Sequence, residues 1–141
     1  MEMNIMLAPG AVMPEYGTTS SAGMDLRSNA KEPVVIPPFG AAKIPTGVFF
    51  EIPDGVEGDI RSRSGLFYNK GLFVTGTIDA DYRGEVFANC RNISNEEIVV
   101  MPCERICQIV FSKFEDAILT VATKLSETVR GDGGFGHTGN L

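Results

Sequence analysis

The fold is decided by the segment GLFVTGTIDADYRGEVFANCRN, residues 71–92. It contains two runs rich in β-branched and aromatic residues, Gly71–Thr75 and the alternating Glu85–Asn92. Between these runs lies Gly76–Gly84, which has a glycine at each end and two aspartates, all typical turn residues. Two extended runs joined by such a turn predict an antiparallel hairpin that carries functional groups at its tip.

Short extended segments of the same kind occur along the rest of the chain, separated by glycines and prolines. The predicted strands besides the hairpin are Ala42–Glu51, Gly58–Arg61, Ile98–Met101 and Ile106–Phe114. One short helix is predicted at Ser64–Lys70, with Gly71 as its C-terminal stop. The segment Ala117–Leu125 fits a helix or a strand, and its Thr and Val residues favour extended structure. The pattern predicts one all-β domain, an antiparallel sandwich or barrel, with functional groups on loops and edges.

Composition limits the possible functions. The chain has 141 residues, of which 43% are hydrophobic, and this suits a single domain with one core. A net charge of −6 opposes general binding to nucleic acid or to acidic membranes. We find no targeting segment at Met1–Gly10 and no long apolar run, so we expect a soluble intracellular protein, cytoplasmic or nuclear. Three cysteines form neither a disulfide framework nor a zinc site, and we expect two of them to be buried or half-buried.

Two segments in the first half of the chain contain groups suited to a phosphate ester. Asp25 follows small residues and a glycine, and its ordinary interpretation is a turn aspartate. The segment Arg61–Leu66 places two arginines and two hydroxyl groups before the predicted helix, where N–H groups and guanidinium groups can bind an oxyanion. The competing interpretation of this segment is a surface helix cap, since serine is a common N-cap residue.

The turn of the hairpin and the strand Ile106–Phe114 add further candidates. Asp79 beside Ile78 can take a proton from water, and Tyr82 can lie against a sugar ring, although an ordinary Asx turn has the same composition. Gln108 follows Ile106 by two residues, so the pattern places both side chains on one face of a strand and predicts a buried or site-facing amide.

The C-terminal segment Arg130–Gly139 contains five glycines in ten residues. Its backbone N–H groups can turn toward an anion, Arg130 is a permanent cation, and Phe135 can stack on a base. We interpret His137 as a residue of this tail rather than as a catalytic base. The competing interpretation of the whole segment is a flexible linker.

Five segments, in this order, resemble the motifs of the trimeric dUTP pyrophosphatase (dUTPase) family: Ala22–Leu26, Arg63–Leu66, Gly76–Gly84, Pro102–Gln108 and Arg130–Gly139. The resemblance implies a jelly-roll-like antiparallel β-sandwich and a homotrimer whose sites are shared between subunits. It implies hydrolysis of dUTP to dUMP and pyrophosphate with Mg²⁺, which keeps uracil out of DNA and supplies dUMP for thymidylate synthesis. Residues 1–129 would form the β-domain. Residues 130–141 would form a flexible arm that closes over a neighbouring subunit's active site.

The resemblance also implies roles for individual residues. Asp79 resembles the general base that activates the water attacking the α-phosphorus, and Tyr82 resembles the residue that excludes a ribose 2′-hydroxyl. Uracil would be read by main-chain groups of the hairpin between Gly76 and Phe87. Asp25 resembles the acid that holds Mg²⁺ through water. The positions that resemble contacts to the phosphates, or to the base from the arm, are Arg63, Ser64, Gly65, Gln108, Arg130, Phe135, Gly136, His137 and Thr138.

Four positions depart from the usual family pattern. They are Met24, where an aromatic residue is common, and Cys103, Cys107 and His137, where glycine, alanine and serine are common. Cys103 is the departure with a structural consequence, because a turn that normally uses glycine must accept a β-carbon. Two alternatives stay open at this point: an enzyme related to dCTP deaminase, with or without dUTPase activity, and a non-catalytic signalling module of the same fold.

Overall fold

A computed structural model describes residues 1–134 of the chain. This part contains one helix, α1 (Ser64–Lys70), and ten strands. The strands are β1 (Asn4–Leu7), β2 (Glu15–Tyr16), β3 (Met24–Arg27), β4 (Val34–Ile36), β5 (Ala41–Glu51), β6 (Val56–Ser62), β7 (Leu72–Ile78), β8 (Val86–Asn92), β9 (Ile98–Val100) and β10 (Arg105–Lys113). The helix is far too short to cross a lipid bilayer, and the described residues contain no other helix.

Eight strands form one curled antiparallel sheet in the order β1-β5-β8-β7-β6-β10-β3-β2, and β4 pairs with β9 in a second, two-stranded sheet. The curl is centred on β7, which changes partner along its length. Residues Leu72–Val74 pair with β8, whereas residues 75–78 pair with β6. The single sheet therefore folds into two layers that face each other, which confirms the predicted β-sandwich.

The core lies between these layers and is built mainly from branched aliphatic side chains. Its completely buried members include Ile36, Ile44, Ala88, Ile106 and Ile109. Cys90 and Cys107 belong to the same core, and Cys103 is exposed, as expected from the sequence. Burial raises the pKa of Cys90 to about 12 and raises the pKa of Cys107 further, so both thiols stay neutral.

The six strands and the helix predicted from the sequence are confirmed, with shifts of a few residues at their ends. At Ala117–Leu125 the described chain forms no helix and no paired strand. The apolar side chains of Ile118, Leu119, Val121, Leu125 and Val129 are at least 83% exposed, so nothing in the described part of the chain covers them. The short strands β1 to β4 were not predicted, because none of them is longer than four residues and so short a segment shows no clear alternation of apolar and polar residues.

Cys103 occupies a turn that normally favours glycine. Its φ is +62°, in the left-handed region, and the turn is closed by the Glu104 N–H, which donates to Met101 O at 3.2 Å. The Cys103 N–H donates to Ser28 O at 2.9 Å, and Arg27 Nη1 donates to Cys103 O at 3.1 Å. The surrounding hydrogen bonds therefore hold the cysteine in a conformation that costs a β-carbon about 1–2 kcal/mol.

Candidate functional site

The predicted hairpin is closed only at its base. β7 pairs with β8 only over Leu72–Val74, and residues 75–78 of β7 pair only with β6. The pairing of Leu72–Val74 with residues 90–92 confirms the predicted antiparallel hairpin, whose strands separate before the turn is reached. A cavity of about 270 Å³ lies between the separated strands, lined by Thr77 and Asp79 on one side and by Glu85 and Phe87 on the other. We call it the hairpin cavity.

The separated strands leave backbone groups without a strand partner along the hairpin cavity. Within the described chain, residues 75–78 bond to β6 on one edge, and β8 bonds to β5 on its far edge. A β-carbon added at Gly76 would meet only Asn89 Nδ2, at 4.0 Å. Packing within the chain therefore does not require glycine at this position. The small residue leaves space where a flat polar ligand can reach the free backbone groups.

The turn at the open end of the cavity fixes the position of Tyr82. The Tyr82 N–H donates to Asp79 O at 3.1 Å, and the Tyr82 hydroxyl donates to Glu85 O at 2.9 Å. A β-carbon at Gly84 would overlap the Tyr82 ring, so this ring lies directly against the Gly84 backbone. The side chain of Asp79 lies exposed at the mouth of the cavity. A carboxylate and an aromatic ring therefore meet at the same opening, as predicted.

The Glu85 carboxylate has a structural role in the fold. Its Oε1 accepts a hydrogen bond from the Gly47 N–H at 2.8 Å, at the irregularity in the β5–β8 pairing. A deaminase-like reaction needs a glutamate that faces the base as a proton acceptor, and this carboxylate already has a structural partner. The geometry therefore argues against the deaminase alternative.

The far wall of the hairpin cavity contains a residue that sequence reasoning missed. Lys43 lies on β5, paired with Asn89 of β8, and both line the cavity. The Lys43 Nζ lies 4.1 Å from the centre of the Phe87 ring, a cation–π contact. No sequence motif links these positions, because only the pairing of β5 with β8 brings Lys43 to the site.

Asp25 is the centre of a second cluster, on β3 rather than in a turn, so the turn interpretation is wrong. It is 5% exposed, and its Oδ1 accepts bonds from Arg63 Nε at 3.1 Å and Gln108 Nε2 at 3.2 Å. Its Oδ2 accepts a bond from Arg105 Nη1 at 3.2 Å. Two guanidinium groups and an amide thus compensate a buried carboxylate, which orients all three donors. Arg105 was not among the predicted site residues.

The expectation that Gln108 shares a face with Ile106 is wrong. The register of β10 against β3 shifts between Arg105 and Cys107, and as a result Ile106 and Cys107 are both buried in succession. Gln108 is only partly buried, and its amide reaches Asp25. A bulge of this kind redirects a side chain toward a site, and the alternation of the sequence does not reveal it.

A cavity of about 280 Å³ lies beside this cluster, lined by Arg63, Ser64, Gly65 and Gln108. We call it the helix cavity. Arg63 is the N-cap of α1 and makes no side-chain cap bond, so the structure does not support the interpretation of the serines as helix caps. A β-carbon at Gly65 would meet no atom within 4 Å. Gly65 is therefore not required by packing and leaves the backbone accessible from the cavity.

The two cavities lie at opposite ends of the β6–β7 pair. Ile78 is paired with Gly58, so Asp79 lies level with Glu57, at the start of β6. Ser64 follows the other end of β6. Five residue steps along β6 separate Glu57 from Ser62, about 17 Å at 3.3 Å per residue, and Ser64 lies beyond that end of the strand. The structure therefore does not bring the predicted base and the predicted phosphate-binding residues together within one chain.

The arm is only partly described. Arg130 Nε donates to Gly133 O at 2.9 Å in a turn that also places Gly131 at φ +55°. The predicted contacts at Phe135, Gly136, His137 and Thr138 lie outside the described residues.

The donor set can be compared with the needs of Mg²⁺. Within residues 1–134 no three His, Cys, Asp or Glu side chains are grouped closely enough to hold a metal ion. Asp25 has three of its four lone-pair positions occupied and can accept one further hydrogen bond, from a water molecule for example. The residues therefore fit an ion carried by a polyphosphate and its waters, not one held in a protein cage.

Comparison with known proteins identifies close relatives over the full length of the chain. The dUTPase family model matches residues 10–139. A deoxyuridine 5′-triphosphate nucleotidohydrolase of Finegoldia magna is 42% identical over 142 residues, which cover 99% of both proteins. A protein of the same name from Chlamydia trachomatis is 43% identical over 143 residues, again 99% of both.

Solved structures show the same similarity. A dUTPase of Staphylococcus bacteriophage 80alpha with dUpNHpp superposes with a TM-score of 0.90 at 28% identity and covers 98% of both chains. A dUTPase of phage phi11 of S. aureus, described with a structural Mg(II) ion, has a TM-score of 0.80 at 26% identity. It covers 88% of this chain and 98% of that one.

Proposed function

The chain belongs to the dUTPase family and is a dUTP diphosphatase, and on this premise we propose how its residues divide the work. The reaction adds water at the α-phosphorus of dUTP and releases dUMP and pyrophosphate. Phosphoryl transfer of this kind needs little covalent chemistry from the protein. The residues contribute positioning, neutralisation of charge and a base for the water.

Asp79 is the general base. Its carboxylate is exposed at the mouth of the hairpin cavity, and no side chain of the described residues bonds to it. It is thus available to accept a proton from a water molecule lying between the turn and the α-phosphorus. The proton passes to the Asp79 carboxylate as the oxygen–phosphorus bond forms, and the bond to the departing pyrophosphate breaks.

Tyr82 and the open strands select the nucleoside. The Tyr82 ring is fixed by its hydroxyl bond to Glu85 O and by contact with Gly84, so it presents a rigid wall to the sugar. A 2′-hydroxyl would collide with such a wall, which is specificity by exclusion. The backbone of residues 76 to 87 reads uracil, because the separation of β7 from β8 leaves these groups free to pair with a base.

The helix cavity binds the phosphates. Arg63 supplies charge, Ser64 a hydroxyl, Gly65 an accessible backbone and Gln108 an amide. Asp25 holds Arg63 and Gln108 in position and offers its remaining acceptor to a water of the Mg²⁺ ion. When bound, the ion neutralises phosphate charge and orients the triphosphate.

The main support for a shared site is that Asp79 and Ser64 lie at opposite ends of β6, whose residues from Glu57 to Ser62 span about 17 Å. A triphosphate cannot use both within one chain at this separation, so the site is formed between subunits of a homotrimer. The exposed apolar side chains of residues 118–129 support association, because a surface of this kind is normally covered by a partner.

The remaining assignments follow the same division. Residues 1–129 form the β-domain, and residues 130–141 form an arm that closes over a neighbouring subunit's site. Arg130 would exchange its bond to Gly133 O for a phosphate, and Phe135 would cover the base, with Gly136, His137 and Thr138 near the γ-phosphate. A net charge of −6 supports the absence of nucleic acid and acidic membranes among the partners, and an intracellular location suits a nucleotide substrate.

The test is Asp79→Asn with Asp81→Asn as the matched control on the same exposed turn. We expect turnover of dUTP to fall by about 10²–10⁴ in Asp79→Asn, while affinity for a non-hydrolysable α,β-imido analogue of dUTP is kept. Asp81→Asn should stay near wild type. Near wild-type turnover in Asp79→Asn would contradict the assignment of the base.

A further inference from the structure

Lys43 is the charged side chain of the hairpin cavity that the assignments above leave without a role. Its ammonium rests on the Phe87 ring at 4.1 Å, and its strand partner Asn89 lines the same cavity. Among the described residues, Lys43 makes no hydrogen bond through its side chain and no ion pair, although its ammonium carries three donors. The Phe87 ring therefore positions a cation whose hydrogen-bonding capacity is still free.

The cavity has a direction, and Lys43 lies at one end of it. Asp79 and Tyr82 lie at the turn, where the proposed function, on which this inference rests, places the α-phosphate and the sugar. Asn89 lies four residues further along β8 than Glu85, about 13 Å from the turn end. A pyrimidine attached to the sugar through N1 points its position 4 away from the sugar. That edge of the base is thus directed to the end of the cavity where Lys43 and Asn89 lie.

Position 4 is also where uracil differs from cytosine. Uracil has a carbonyl oxygen there, which only accepts hydrogen bonds, whereas cytosine has an amino group, which donates them. An asparagine amide can offer either its oxygen or its nitrogen, so Asn89 alone does not choose between the two bases. A lysine ammonium only donates, and it is left without an acceptor opposite an amino group. We propose that Lys43 is a specificity-determining residue that donates a hydrogen bond to O4 of uracil and disfavours cytosine.

The test compares wild type, Lys43→Met, Lys43→Arg and the surface control Lys31→Met on three substrates. These are dUTP, dCTP and the triphosphate of the 2′-deoxyriboside of pyrimidin-2-one, which has hydrogen at position 4. In Lys43→Met, kcat/KM for dUTP should fall by about 10- to 100-fold, mainly through KM, the range expected for a lost charged hydrogen bond. Its kcat/KM for the other two substrates should stay constant or rise. Lys43→Arg keeps the donors and should retain most of the preference for dUTP, and Lys31→Met should match wild type.

The outcomes separate the possible roles of Lys43. An equal loss on all three substrates would assign the ammonium to a phosphate or to the fold and overturn the proposal. An unchanged ratio of dUTP to dCTP in Lys43→Met would also overturn it. If wild type failed to hydrolyse dUTP, or if Asp79→Asn remained active, the proposed function would fail instead, and these results are independent of Lys43. Thermal melting of each variant shows whether the contact with Phe87 is needed for folding.

Discussion

Two inactive variants should restore each other's activity when they assemble together. The first is Asp79→Asn, which removes the proposed base from the hairpin cavity. The second is Ser64→Asp, which places a carboxylate in the helix cavity, where it repels a triphosphate. Aspartate at the start of α1 is compatible with the helix, because negative charge is favourable at a helix N-terminus. Both variants should fold, and each alone should be nearly inactive.

The magnitude follows from the separation of the two cavities. If each site takes Asp79 from one chain and Ser64 from another, a random 1:1 mixture contains intact sites wherever both contributors are intact. Each contributor is intact with a probability of one half, so about one quarter of the sites should work. If both residues came from the same chain, every site would lack one of them, and no activity would return.

The assay needs mixed trimers. The two variants, with different affinity tags, are unfolded together and refolded. Capture of an aliquot through both tags shows that mixed trimers have formed, and pyrophosphate release from dUTP is measured on the whole mixture. The matched control is a mixture of wild type with a chain that carries both Asp79→Asn and Ser64→Asp. In this control mixture, sites shared between chains give about one quarter of full activity, whereas sites within one chain give about one half. Mixed trimers that show no recovered activity would refute the placement of the two cavities on different subunits.

Three further predictions concern single positions. Cys103→Gly should raise the free energy of unfolding by about 0.5–1 kcal/mol in denaturant titrations, because relief of the strained φ of +62° exceeds the added freedom of the unfolded chain; a lower stability would show that the turn is not strained. Gly84→Ala should displace the Tyr82 ring and raise the ratio of UTP to dUTP turnover, and an unchanged ratio would place ribose exclusion elsewhere. Above pH 9 the unfolded chain loses thiol protons that the folded chain keeps, since the pKa of Cys90 is raised to about 12 and that of Cys107 is raised too. Stability should therefore fall from pH 9 toward 12, and Cys90→Ala should have a smaller alkaline slope in thermal melts than wild type.

The local sequence pattern predicted the structure correctly where it depends only on neighbouring residues of one strand, helix or turn. Strand β8 alternates along its length, and its buried positions, such as Val86, Ala88 and Cys90, are those that the alternation predicts. Helix α1 ends at Gly71 with φ +70°, as its sequence indicates. Residue chemistry also placed Asp79 and Tyr82 together at a turn, because neighbours in a short turn stay neighbours in the fold.

The features that the sequence pattern did not predict depend on which strands pair with each other. The sequence suggests that Asp25 is a turn residue beside Gly23, yet pairing with β10 places it next to Gln108. The pairing of β10 with β6 then brings Arg63, which is 38 residues away from Asp25, to the same carboxylate. The separation of β7 from β8 after Val74 is visible only in the strand pairing, and no property of the β7 sequence alone indicates it. Lys43 reaches the cavity for the same reason, through the pairing of β5 with β8.

The strongest disagreements between pattern and structure lie at the two candidate sites, and this has a physical basis. A strand that satisfies its pattern pairs fully and leaves no backbone group for a ligand, so a base can be read by main-chain atoms only where pairing fails. The separation of β7 from β8 at Gly76 provides such a failure. Likewise the bulge before Cys107 breaks the alternation and directs Gln108 to Asp25. A break in an otherwise regular pairing pattern therefore leaves backbone or side-chain groups that a ligand can reach, and it marks a candidate site for mutagenesis.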